Sequence, residues 1–132
     1  MQVMLDTNIC IYLIKNRPVH LRSRFQQYNI GDVSISSITL SELMVGVERN
    51  ANRPQALHAL QLLLQSLSVV DFDAQAAYIY ARIRVDLEKR GLAIGPLDML
   101  IAAHALSLGL VLVTHNTREF QRVPGLQIED WV

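Results

Sequence analysis

The sequence predicts an α/β fold: a central, mainly parallel sheet of roughly 4–5 strands flanked by helices. Three observations point to it. Short apolar runs recur along the chain, too brief for helices and too continuous for half-exposed strands. Segments with helical spacing or helix caps lie between them. An acid, Asp6, closes the first apolar run, and the carboxyl end of a strand is where open α/β sheets bind ligands.

Met1-Gln2-Val3-Met4-Leu5 reads as a buried first strand, and Asp6-Thr7-Asn8 turns it into a helix through Ile9 to Ile14. Pro18 starts a second short helix through Phe25, since proline suits a first helical position. Gly31-Asp32 is a turn, and Val33 to Ser36 alternates with period two as a strand does. Thr39-Leu40-Ser41-Glu42 has the form of a capping box and opens a helix toward Glu48. Asn52-Arg53-Pro54 interrupts the chain. Leu57, Leu60, Leu63, Leu64 and Leu67 then share one helical stripe, with Leu62 off it.

Val69 to Phe72 is a third strand, and Asp73 caps a long helix that ends at Gly91. Ala76, Ile79, Tyr80, Ile83 and Leu87 form its main stripe. Tyr78, Ala81 and Val85 lie on another side, a face suited to a second subunit. Gly95-Pro96 starts a helix from Leu97 to Leu108, which Gly109 stops. Leu110 to Val113 is a fully apolar fourth strand. A short helical turn from Asn116 to Phe120 and a last strand, Leu126 to Ile128, complete the order.

A chain of 132 residues forms one domain, 1–132, with length enough to bury a core. Hydrophobic residues at 51% against 18% charged exclude a disordered chain. The lone cysteine, Cys10, sits in an apolar run as a buried thiol, which suits a reducing cytoplasm. The opening run has no basic stretch before it, so no signal peptide is expected, and no apolar stretch is long enough to cross a membrane. Net charge is zero, but ten of the twelve basic residues are arginines, whose forked guanidinium suits phosphate. Setting Asp6, Glu42, Asp98 and Glu119 aside in one pocket leaves eight acids against those twelve bases, so a polyanion can lie around an acidic centre.

Each of these acids has a structural explanation when taken singly. Asp6 can cap a helix, Glu42 completes the capping box, Asp98 complements a helix dipole and Glu119 can be a surface residue. A parallel sheet would bring them to one rim. Ile101, Ala102 and Ala105 share the helical face of Asp98, and small residues there let that helix lie close to the sheet. Like charges in one cleft repel unless a cation neutralises them. Carboxylates without cysteine or ordered histidine suit Mg²⁺ or Mn²⁺, the usual tools of phosphate-ester hydrolysis.

Four blocks, in order and spanning nearly the whole chain, resemble the PIN-domain nucleases and, more closely, the VapC toxins of bacterial toxin–antitoxin pairs. They are Met4-Leu5-Asp6-Thr7-Asn8-Ile9, Ser36 to Leu43, Ile94 to Asp98 with Ile101 to Ala105, and Val113 to Phe120. The resemblance implies a PIN fold and a metal-dependent endoribonuclease. Asp6 and Asp98 would hold the metal, with Glu42 and Glu119 completing a catalytic acidic cluster. Thr7 and Asn8 would orient Asp6 and water, with Thr114 and Asn116 supporting from behind. Where the family often has Thr-Asn-Asp, this chain has Thr114-His115-Asn116, so an acid is missing at Asn116. Glu119 can replace it, or Asn116 can hold a water; His115 is expected on the rim rather than as a ligand.

The resemblance also implies a VapB-type antitoxin whose tail covers the site, a homodimer, higher hetero-oligomers with the antitoxin, and an RNA substrate. The closest subgroup suggests initiator tRNA cut in its anticodon loop, leaving a 5′-phosphate and a 3′-hydroxyl. Arg17, Arg22, Arg24, Arg118 and Arg122 are candidates for RNA backbone contacts. Two rivals stand beside this reading. One is a catalytically inactive PIN-fold module that binds RNA or protein. The other is an aspartyl-nucleophile phosphatase, against which Asn8 counts because such enzymes usually carry a second acid there.

Overall fold

In the computed structural model, which describes residues 1–132, the short apolar runs become the middle of the molecule. β1 (Val3–Leu5) is buried throughout and pairs in parallel on both edges, with β2 (Val33–Ser36) and with β4 (Val111–Val113). β3 (Ser68–Val70) extends the sheet beyond β2, and β5 (Ile128–Glu129) extends it beyond β4. The order is β3-β2-β1-β4-β5 and every pairing is parallel. All carboxyl ends therefore share one rim. Chain direction across the sheet reverses at β1, where β2 lies on one side and β4 on the other. That is the point where open sheets leave a crevice.

Helices cover both faces. On one side α1 (Thr7–Lys15), α2 (Val19–Phe25), α3 (Ser37–Arg49) and α4 (Arg53–Leu64) close over Val3, Leu5, Val33, Ile35 and Val113. On the other, α5 (Ala74–Lys89), α6 (Pro96–Leu108) and α7 (Thr117–Phe120) close over Met4 and Leu112. β1 thus sends alternate side chains to two separate cores, as its period-two geometry requires. Phe120 is fully buried in the second core, a burial worth about 2–3 kcal/mol. No helix is long and apolar enough to cross a membrane.

Several boundaries differ from the sequence reading, each for a physical reason. β2 has no exposed face: Val33, Ser34, Ile35 and Ser36 are all buried, because helices cover both sides. The serines are tolerated there by hydrogen bonding. Ser34 Oγ donates to Val3 O at 2.9 Å, and Ser36 Oγ lies 2.8 Å from His104 Nδ1 of α6. β2 runs into α3 with no loop, so α3 starts at Ser37 and Ser36, rather than Thr39, is the N-cap. Its Oγ accepts from Ile38 N at 3.1 Å. Glu42 is therefore not the last member of a capping box; it lies inside the helix.

Pro18 stands just before α2, as its N-cap. β3 is displaced from the expected Val69–Phe72 to Ser68–Val70, and the Phe72 N–H is drawn off to Ser37 Oγ at 3.0 Å. Leu67 is buried but lies past the end of α4, while Leu62 is 52% exposed. α5 buries the expected stripe of Ala76, Ile83 and Leu87, with Ile79 and Tyr80 packed partly against it. Tyr78 and Val85 on its other face stay exposed. α6 is buried almost all round, its Ala102, Ala103 and Ala105 allowing close approach to sheet and α5.

Candidate active site

Asp6 follows β1 directly. Its backbone N–H donates to Val113 O at 3.0 Å across the switch point, and its Oδ1 caps α1 by accepting from Ile9 N at 2.9 Å. The cap accounts for one carboxylate oxygen and so does not exclude a second role for the group. Asp6 is 3% exposed. Burial is the main reason its pKa is raised; hydrogen bonds from Thr114 and Ile9 pull it back, Glu42 pushes it up and His115 pulls it down.

Glu42 reaches the same place from α3. Thr7 Oγ1 donates to Glu42 Oε1 at 2.6 Å and lies 3.4 Å from the buried Thr39 Oγ1. Thr7 therefore holds Glu42, where the resemblance had it orient Asp6; Thr114, beyond β4, is the hydroxyl that serves Asp6. Asp98 stands in the first turn of α6. Its carboxyl is pushed up to about 6 by burial first, then by the charges of Asp6, Glu119 and Glu42. Asp98 is thus within electrostatic reach of the other three acids. Asp6, Glu42 and Asp98 line one cleft of about 550 Å³ with Thr7, Asn8, Ile11, Val45, Gly46, Arg49 and Leu97.

Asn116 and Glu119 sit on the β4 side of Asp98. The Asn116 backbone N–H donates to Thr114 Oγ1 at 2.9 Å, and Asn116 Nδ2 donates to Glu119 Oε2 at 3.1 Å. The amide is thereby a support for the glutamate. His115 points to the rim, its Nδ1 lying 3.0 Å from Asp130 Oδ2 and its ring edge-on to Tyr12. Asn8 is exposed in the cleft wall.

The donor set is all oxygen, which suits a hard divalent cation. Mutual repulsion among these acids is what a cation there would relieve, and on both counts the residues fit one. They do not form a finished cage, since no three acids, histidines or cysteines are gathered tightly enough to hold a metal ion by themselves. That matches a small cation which keeps much of its water and takes one or two carboxylates.

The arginines are placed less evenly. Arg24 is engaged by Glu129 at 2.9 Å and lies over the Trp131 ring. Arg122 Nη1 donates to Ala93 O at 3.3 Å. Arg22 lines an apolar groove between α1, α2 and α4. Arg17 lies beyond the carboxyl end of α1, away from the rim, and Arg118 is exposed on α7 near Glu119. None of these five lines the acid cleft. Arg49 does, and it was missed because its position depends on how α3 lies along the cleft. Its spacing of two helical turns from Glu42 was the one available signal.

Comparison with known proteins agrees with this geometry. The profile of the PIN domain matches residues 3–126. The chain is 47% identical to the tRNA(fMet)-specific endonuclease VapC of Salmonella typhimurium, covering 99% of this chain and 98% of that one. It is 43% identical to ribonuclease VapC2 of Haemophilus influenzae, over 100% and 99%. Among solved structures it is similar to DNA-bound VapBC from Salmonella typhimurium, with a TM-score of 0.95, 46% identity and coverage of 100% and 99%. It is also similar to VapBC2 of Rickettsia felis bound to a promoter DNA fragment, with a TM-score of 0.93, 38% identity and full coverage of both chains.

Proposed function

The chain belongs to the PIN-domain family, among the VapC ribonucleases, and from that premise we infer that it is a divalent-metal-dependent endoribonuclease, the toxin of a type II pair neutralised by a VapB-type antitoxin. The observation that carries this is the meeting of Asp6, Glu42 and Asp98 in one cleft at the switch point, with Glu119 near enough to raise the Asp98 pKa. Initiator tRNA is the substrate favoured, by likeness to relatives named for it. Magnesium or manganese is the cation favoured, by the all-oxygen donor set.

Asp6 and Asp98 would hold the metal, with Glu42 and Glu119 completing the negative charge around it. Bound there, a divalent ion supplies Lewis acidity at the phosphoryl group and a nucleophile at neutral pH. The chain supplies position. Thr7 fixes Glu42 at 2.6 Å, the Ile9 N–H and the Thr114 hydroxyl fix Asp6, and Asn116 fixes Glu119. Hydrolysis would leave a 5′-phosphate and a 3′-hydroxyl. The asparagine at 116 favours an inactive PIN-fold module; Glu119, which raises the Asp98 pKa and accepts from that asparagine, supports the active reading instead.

A cytoplasmic location follows from the RNA substrate, and a homodimer would use the exposed Tyr78 and Val85 face of α5. Inducing the protein without its antitoxin and mapping new 5′ ends across cellular RNA tests the function. One dominant cut in the initiator tRNA anticodon loop is expected, and no new ends would sink it.

A further inference from the structure

The cleft has a second wall that the acids do not use. Arg49 lies seven residues after Glu42 on α3, about 10 Å along the axis and on the same helical face. Val45 and Gly46 fall between them, and all four line the cleft. Arg49 is the only cation there, beside Asp6, Glu42 and Asp98. It is exposed and makes no ion pair: Glu48, its neighbour, is taken by Arg53 at 2.8 Å, and Glu42 by Thr7.

Gly46 is the second unusual feature. Glycine inside a helix is destabilising relative to alanine, and no packing requires it here, because a Cβ would meet nothing within 4 Å. What it leaves is open depth between the acids and Arg49. Val45 and Leu97, 47% and 45% exposed, give the same cleft an apolar shelf. A free guanidinium, an open floor and an apolar shelf in sequence match the repeat of a nucleic-acid strand, which offers a phosphate and then a base face.

We propose that this α3 wall is an RNA subsite, in which Arg49 holds a backbone phosphate beside the scissile one while the Val45–Leu97 shelf takes the intervening base over Gly46. The subsite rests on the ribonuclease reading, since a strand whose phosphate lies at the acids must carry its next phosphates along the cleft. It deepens that reading by naming where the substrate is gripped.

The test is binding of an initiator-tRNA anticodon stem–loop to full-length protein carrying Asp98→Asn, so that the RNA stays intact. Adding Arg49→Ala should weaken Kd by about tenfold and flatten the salt dependence by about 0.7 in log–log slope. Arg49→Lys should restore most of the slope. In otherwise unsubstituted protein, Arg49→Ala should raise KM with little change in kcat. Gly46→Phe should raise KM without lowering Tm, since a side chain there meets open space. Unchanged affinity and slope in Arg49→Ala, with normal cutting by the parent, would overturn the subsite alone. Loss of antitoxin binding without loss of RNA binding would overturn it too, assigning Arg49 to the partner protein. If the unsubstituted protein fails to cut the stem–loop in manganese, the ribonuclease reading fails and takes the subsite with it.

Discussion

Five acids away from the cleft sit against a basic side chain, and the acids gathered at the switch point do not. Outside, Glu48, Asp86, Glu88 and Glu129 each hold an arginine at 2.6–2.9 Å, and Asp130 holds His115 at 3.0 Å. At the switch point, Asp6, Glu42, Asp98 and the neighbouring Glu119 have no basic side chain within 4.0 Å, although Arg49 lines the cleft that the first three share. The partnered acids are solvent-screened surface pairs, which contribute little to stability. The unpartnered ones repel, and the Asp98 pKa, raised first by burial, is raised further by its three acidic neighbours. Asp32, Asp71 and Asp73 also lack a basic partner; what sets the switch point apart is that its unpaired acids lie close enough to raise the pKa of Asp6 and Asp98.

The sharpest way to break that contrast is to remove one inner charge. Asp6→Asn and Asp98→Asn should each lower RNA cleavage by about a thousandfold or more, read by single-turnover kinetics in manganese. Asn remains a good N-cap, so Asp6→Asn should keep the stability that Asp6→Ala loses by about 1 kcal/mol. Full activity in both Asn variants would remove these acids from the chemistry.

The second effect has the reverse sign. Without added metal, Asp98→Asn should raise stability near pH 7 by about 1 kcal/mol, after allowance for solvent screening, which is a few degrees in Tm. A saturating divalent ion should shrink or reverse the gap. A third test follows the same gap with pH. The folded protein holds the Asp98 proton more tightly than the unfolded chain does, with a pKa of about 6 against 3.8. This group therefore adds stability below about pH 4, and the contribution is lost as pH rises through about 6. The Tm difference between Asp98→Asn and the unsubstituted protein should be largest at pH 7 and close by about pH 4. A gap independent of pH would mean that Asp98 does not feel its neighbours.

The smallest effect belongs to the outer acids. Glu129→Gln should lower stability by no more than about 1 kcal/mol and leave cleavage unchanged, measured by urea unfolding and the same kinetic assay. A large loss of activity there would blur the two classes.

Asp6 and Asp98 were legible because each sits at an element boundary that local patterns reveal: an apolar run ending, and Gly95-Pro96 starting a helix. Glu42 was legible for the wrong local reason, since the true cap is Ser36 and the true restraint is Thr7, 35 residues away. The parallel sheet followed from short apolar runs and β2 from its period-two alternation, which left open whether its serine face is covered. Alternation in Val-Ser-Ile-Ser marks an exposed side only if nothing covers it, and α6 does. The arginines were illegible as a group. Helical spacing does not say which face looks into a cleft, so Arg24, held by Glu129, and Arg49, which is free, look alike in sequence.

One hydroxyl from the fold has a consequence for the whole site. Ser36 ends the second strand, starts the helix that carries Glu42 and contacts His104 on the helix that carries Asp98. The span between those two carboxylates is thus gauged from the interior, like the jaws of a vice set by a hidden screw.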